Sequence, residues 1–110
     1  MHDNTSIQQP LRAVEAKQLA RRILDDGAVF FTRHAERELA KDDKQTIDAV
    51  NVVRAGVYSE AEWENGEWRH RASTPRFTVV LQFESARQLI VITGWSKREL
   101  RSESAKGAAS

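Results

Sequence analysis

Residues 57–97 read VYSEAEWENGEWRHRASTPRFTVVLQFESARQLIVITGWSK, and the period of their side chains decides the fold. VYSEAEW sets Val57, Ser59, Ala61 and Trp63 against Tyr58, Glu60 and Glu62, a period of two that belongs to strands. Asn65-Gly66 is a strong two-residue hairpin signal, because type I′ turns need two positive φ angles. A second strand is expected over roughly 67–73, and Thr74-Pro75 breaks or bulges it. Residues 76–83 form the clearest strand, with Phe77, Val79, Leu81 and Phe83 on one face. Glu84-Ser85-Ala86 turns the chain. Gln88–Trp95 is nearly continuous in apolar residues and reads as a central strand buried on both faces. The expectation is a four-strand antiparallel meander.

Upstream of Gly56 the period is about 3.6. Pro10 precedes a stripe of Leu11, Val14, Leu19 and Ile23, flanked by Ala20 and Leu24. Gly27 reads as the stop of that helix. Its other face carries Arg12, Lys17, Arg21 and Arg22. Residues 28–32, AVFFT, are a short strand or an extended link, and Thr32 is placed to cap a helix over RHAERELA. Asp42 or Asp43 is expected to cap the next helix, which carries Ile47, Val50 and Val53 beside Ala49 and Val52 and ends at Gly56. Two to three N-terminal helices packed on an antiparallel sheet make an α+β domain. Residues 11–97 form that single domain. Residues 1–10 read as a flexible start, and 98–110 as a polar, disordered tail.

Composition agrees with one domain. The chain has 110 residues, and 17 Lys plus Arg against 16 Asp plus Glu leave a net charge of +1, which excludes a grossly basic chain. Charge balance leaves room for a basic face. Cysteine is absent, so disulfides, thiolate catalysis and zinc held through sulfur are excluded. No apolar stretch reaches the roughly 18 residues of a membrane span. The expectation is a cytoplasmic protein without a membrane partner.

Three clusters could carry chemistry. In His34-Ala35-Glu36-Arg37-Glu38, His34 and Arg37 share a helix face; imidazole moves protons near neutral pH and guanidinium neutralises phosphoryl charge. The plainer reading is a helix start with solvent-facing charge pairs. In Trp68-Arg69-His70-Arg71, alternation puts Arg69 and Arg71 on one sheet face and Trp68 and His70 on the other, with Arg76 beyond the Pro75 break. Cations and an aromatic on a rigid sheet suit RNA. The plainer reading pairs those arginines with Glu60, Glu62 or Glu64 across the hairpin. Trp95-Ser96-Lys97-Arg98 places cations at a strand end, either at a cleft or simply as a charged exit from the core. No metal site is expected, because His34 lacks a second histidine at helical spacing.

The segments QLARRILDDGAV, FTRHAERELA, IDAVNVVRAGVY, EWRHRAS, RFTVVLQF and QLIVITGWSK, in that order over residues 17–97, resemble the MqsR-like and RelE-like toxin superfamily of toxin–antitoxin systems, in a branch that carries an HAxxR helix. The resemblance implies a curved antiparallel sheet and a metal-independent endoribonuclease acting on messenger RNA. No cofactor is implied. The RNA 2′-hydroxyl would attack, leaving a 2′,3′-cyclic phosphate. A small antitoxin protein is an implied partner, and cleavage with or without the ribosome is left open by the resemblance. Lys97 corresponds to a basic residue after the last strand of MqsR-like toxins. Arg71 and Arg76 fall where related sheets present basic residues to RNA, and His34 and Arg37 match HAxxR. The MqsR site tyrosine has no counterpart. The catalytic set is then His34, Arg37, His70, Arg71 and Lys97, with Arg69, Arg76 and Trp68 binding RNA. The alternative is a non-catalytic protein- or nucleic-acid-binding module on the same fold.

Overall fold

The computed structural model describes residues 10–97. The expected tail 98–110, and all of the expected flexible start except Pro10, lie outside the described residues. The fold is α+β. Helices α1 (Ala13–Asp26), α2 (Arg33–Lys41) and α3 (Thr46–Ala55) accompany strands β1 (Ala28–Phe31), β2 (Val57–Tyr58), β3 (Glu62–Glu64), β4 (Glu67–Ser73), β5 (Phe77–Ser85) and β6 (Gln88–Ser96). The sheet order is β1-β6-β5-β4-β2, with β3 also paired to β4.

This corrects the four-strand antiparallel expectation in two places. The AVFF segment is a true edge strand, parallel to β6 with Phe30 opposite Ile90, so the sheet is mixed. Parallel pairing joins residues about 60 positions apart and leaves no turn signal in the sequence. VYSEAEW, in turn, is two strands rather than one. Tyr58 pairs with Ala72, while Glu62 pairs with Arg69. Residues 59–61 therefore face only residues 70–71, a one-residue bulge. The Asn65-Gly66 turn is as expected, with φ of 52° and 79°.

One hydrophobic cluster holds the domain. Ala16, Leu19, Ala20 and Ile23 of α1, Ala35 and Leu39 of α2, and Ala49, Val52 and Val53 of α3 pack on Phe77, Val79, Leu81, Phe83, Leu89 and Val91. Val14 and Ile47, expected in the core stripes, are exposed at 55% and 56%. The helices bury their small side chains, Ala16, Ala20 and Ala49, in that cluster instead, which lets neighbouring backbones approach closely.

Helix α2 continues the line of β1 beside β6. The Thr32 amide donates to the Val91 carbonyl (3.1 Å), and its hydroxyl donates to the Ile92 carbonyl (3.0 Å) while accepting from the Ala35 amide (2.9 Å). At the far end, Asp42 accepts from the Ser96 amide at 2.8 Å. Asp42 is thus drawn to β6 rather than capping α3, and Asp43 adopts a positive φ of 59°. The α3 start is closed by Asp48, which accepts from the Gln45 amide at 2.7 Å. Gly27 ends α1 without a left-handed turn; its role is close approach, since a Cβ there would lie 2.2 Å from the Arg87 carbonyl oxygen.

Candidate functional site

All three helices contribute to the one core cluster, so among the described residues the opposite sheet face is left to the sheet's own side chains. Alternation along β4 gives that face Arg69, Arg71 and Ser73, and gives the core face Trp68, His70 and Ala72. Two bulges then decide what joins the arginines. Strict alternation from Tyr58, a core residue, would carry Glu62 and Glu64 to the core side and Trp63 to the other. The extra residue in 59–61 reverses this, and Glu62 lands directly opposite Arg69. In β6, Val91 pairs with Leu81 and Thr93 with Val80, which leaves Ile92 as an extra residue. That shift moves Thr93 and Trp95 off the core face and onto the arginine face. The bulged residue is the one whose carbonyl Thr32 holds.

The result is a compact group. The Arg71 guanidinium lies over the Trp95 ring, 5.5 Å from its centroid. Its Nη2 is 3.2 Å from Glu62 Oε1 and 3.4 Å from Glu64 Oε2, while Arg69 Nη1 is 3.8 Å from Glu64 Oε1. Val80, opposite Arg71 and Thr93 in the register, lies beneath this group and is buried although it is outside the core cluster. The Nε atoms of both arginines are buried without a hydrogen-bond partner. Along the same face, Ser73 Oγ meets Thr78 Oγ1 at 3.0 Å. Lys97 closes the row: its Nζ donates to the neutral Thr74 carbonyl at 3.1 Å, and no ion pair to it is found among the described residues. It lines a shallow groove with Val57, Ser73, Thr74 and Pro75.

The remaining expected residues lie elsewhere. His70 is on the core face, 1% exposed, its ring edge-on to Phe83 at 5.1 Å. Burial pushes its pKa below the ordinary 6.5 and its Nδ1 has no partner, so it acts as a neutral core side chain that a molecule on the arginine face cannot touch. Trp68 also points away from the arginines and packs edge-on against Trp63, 5.0 Å between centroids. His34 and Arg37 are exposed on α2. Glu38, between them and Lys41, has its carboxyl held below the usual range first by the Lys41 hydrogen bond (3.0 Å). Arg76 is exposed at the β4–β5 turn, where it lines a second groove with Lys44 and Asp48. Tyr58 is buried and donates to the Val53 carbonyl at 2.8 Å; burial pushes its phenol pKa up, so it has no role as a proton donor at the surface.

The structure therefore brings together Arg69, Arg71 and Lys97, adds Trp95, Glu62 and Glu64, and separates all of these from His70 and Trp68. No family model, curated protein or solved structure matches the chain. Among the described residues, no helix is long and apolar enough to cross a membrane.

Proposed function

We propose that the chain binds single-stranded RNA across the sheet face opposite the helices, as a non-catalytic module on this α+β fold; the mixed sheet departs from the RelE/MqsR-like arrangement that the sequence resemblance implies. One observation carries this reading: Arg69, Arg71 and Trp95 share a face that no helix covers among the described residues, and Lys97 stands at its end. Side chains two residues apart on a strand are about 6.6 Å apart along it, a spacing that lets successive cations follow a phosphate backbone. Trp95, 37% exposed, offers a ring for a base, and Arg71 stacked on it supplies charge beside that ring.

Metal-independent cleavage by the RNA 2′-hydroxyl is the second reading. The observation that favours it is a carboxylate, Glu64, within 4 Å of two arginines. That places a proton acceptor beside groups able to stabilise a crowded phosphate. His34 is exposed on α2, in the helical layer rather than on the arginine face. A messenger RNA target, cleaved with or without the ribosome, a small antitoxin partner and a cytoplasmic location go with this reading. Among the described residues no histidine lies on the arginine face, which places this reading second.

Fluorescence anisotropy with a labelled RNA decamer in EDTA tests the first reading across 50–200 mM salt. The R69A/R71A double variant should bind more weakly. Its log–log salt slope should be shallower by about 1.4, at about 0.7 per phosphate contact on a single strand. Equal affinity and slope in wild type and variant would refute the interface. Gel analysis of the same samples separates the readings: cyclic-phosphate fragments from wild type alone would establish cleavage.

A further inference from the structure

The arginine seat is already occupied. Two carboxylates converge on one Arg71 nitrogen, and Glu64 spans both arginines, so two positive charges face two negative ones. We propose that Glu62 and Glu64 are an internal stand-in for RNA phosphate: they hold the arginines in the unbound protein and give way when RNA arrives. The proposal rests on the RNA reading above and concerns the regulation of that same site.

Three features of the structure support it. First, the carboxylates are there through the bulge at 59–61, an irregularity that reverses the alternation of the strand. Bulges commonly re-aim side chains in this way. Second, the carboxylates are loosely held. β3 is three residues long and hydrogen-bonds to β4. The Glu62 and Glu64 side chains are 53% and 38% exposed. Ion pairs at such exposure are weak and yield to competing anions. Third, the carboxylates leave the arginines incompletely satisfied, because both Nε atoms are buried without a partner. Each guanidinium can donate two parallel bonds along its Nε–Nη edge, and a phosphodiester presents two non-bridging oxygens to accept them. The present contacts run through the Nη atoms only.

In this arrangement the glutamates set a threshold. They keep the arginine side chains extended over Val80 and Trp95, and they oppose weak or isolated anions. An RNA strand that also reaches Trp95 and Lys97 gains enough contacts to displace them.

The test compares wild type, E62Q/E64Q, K97A and an E36Q/E60Q control. The control changes net charge equally at exposed residues that make no ion pair with Arg69 or Arg71. The probe is a labelled RNA decamer in 100 mM salt, read by anisotropy. E62Q/E64Q should bind at least tenfold tighter than both wild type and the control. Equal tightening in E62Q/E64Q and E36Q/E60Q would overturn the proposal, since bulk charge would explain it, and so would unchanged or weaker binding in E62Q/E64Q. The RNA reading has its own signature: K97A should weaken binding whatever the glutamates do. If no protein of the set binds RNA, the RNA reading fails and the stand-in fails with it. If K97A weakens binding while E62Q/E64Q leaves it unchanged, only the stand-in fails.

Discussion

Replacing His70 with leucine should remove one source of the domain's sensitivity to mild acid. His70 is 1% exposed among Phe83, Leu81 and Ala72, and its Nδ1 lacks a partner. The folded protein therefore holds the ring neutral, and burial sets its pKa below the 6.5 of the unfolded chain. Protons then bind the unfolded state preferentially. Stability from this source is full above pH 6.5 and is lost as pH falls from 6.5 through the folded-state pKa. Linkage for a single proton sets the ceiling of that loss at about 1 kcal/mol between pH 6.5 and 5.5, reached only where the native ring takes up no proton. For a domain of this size, that ceiling is a fall in Tm of about 4–8 °C. Leucine has no proton to take up and no unsatisfied Nδ1, so H70L should also be more stable at pH 7, by about 1–3 kcal/mol. The assay is urea unfolding followed by tryptophan fluorescence, at half-unit steps from pH 7.5 to 5. The quantity to read is the difference between wild type and H70L, because every other residue is common to both. A difference that stays constant with pH would refute the buried neutral imidazole.

Other substitutions probe the supports of the site. T32A should cost about 1–2 kcal/mol, the usual loss for a helix N-cap, read by thermal melting; because the same hydroxyl holds Ile92, it should also alter Trp95 fluorescence, which a remote destabilising change would leave alone. G27A should destabilise by about 1–3 kcal/mol, since a Cβ 2.2 Å from the Arg87 carbonyl can be relieved only by moving backbone; an unchanged melting temperature would exclude that close approach. Y58F should cost about 1 kcal/mol through loss of the bond to Val53, measured by denaturant unfolding.

Local signals in the sequence are legible wherever the physics is local. The Asn65-Gly66 turn, the core face of β5 and the Thr32 cap all depend on residues within a few positions, and each is found as its chemistry requires. The placement of Arg69 and Arg71 on one face, with His70 on the other, follows from alternation alone. That His70 is enclosed needed one more fact, the side of the sheet that the helices cover. The parallel β1–β6 pair, the diversion of Asp42 to Ser96 and the exposure of Val14 and Ile47 depend on partners far along the chain. Amphipathic spacing identifies a helix, but alanines packed in the core can outcompete larger residues for the buried stripe.

The bulges mattered most for the site and left no mark in the sequence. VYSEAEW alternates without interruption, and QLIVITGW is apolar on both faces, so neither pattern announces an extra residue. One inserted position exchanges the two faces of everything beyond it until the strand ends. In β3 that exchange carries Glu62 and Glu64 to the arginines and Trp63 to Trp68; in β6 it carries Trp95 under Arg71. With either shift absent, the arginine face would lose its carboxylates or its aromatic ring to the core side. The site is therefore set by strand register more than by residue content. Thr32, whose hydroxyl fixes the bulged Ile92 from the start of α2, is the residue through which the helical layer reaches that register.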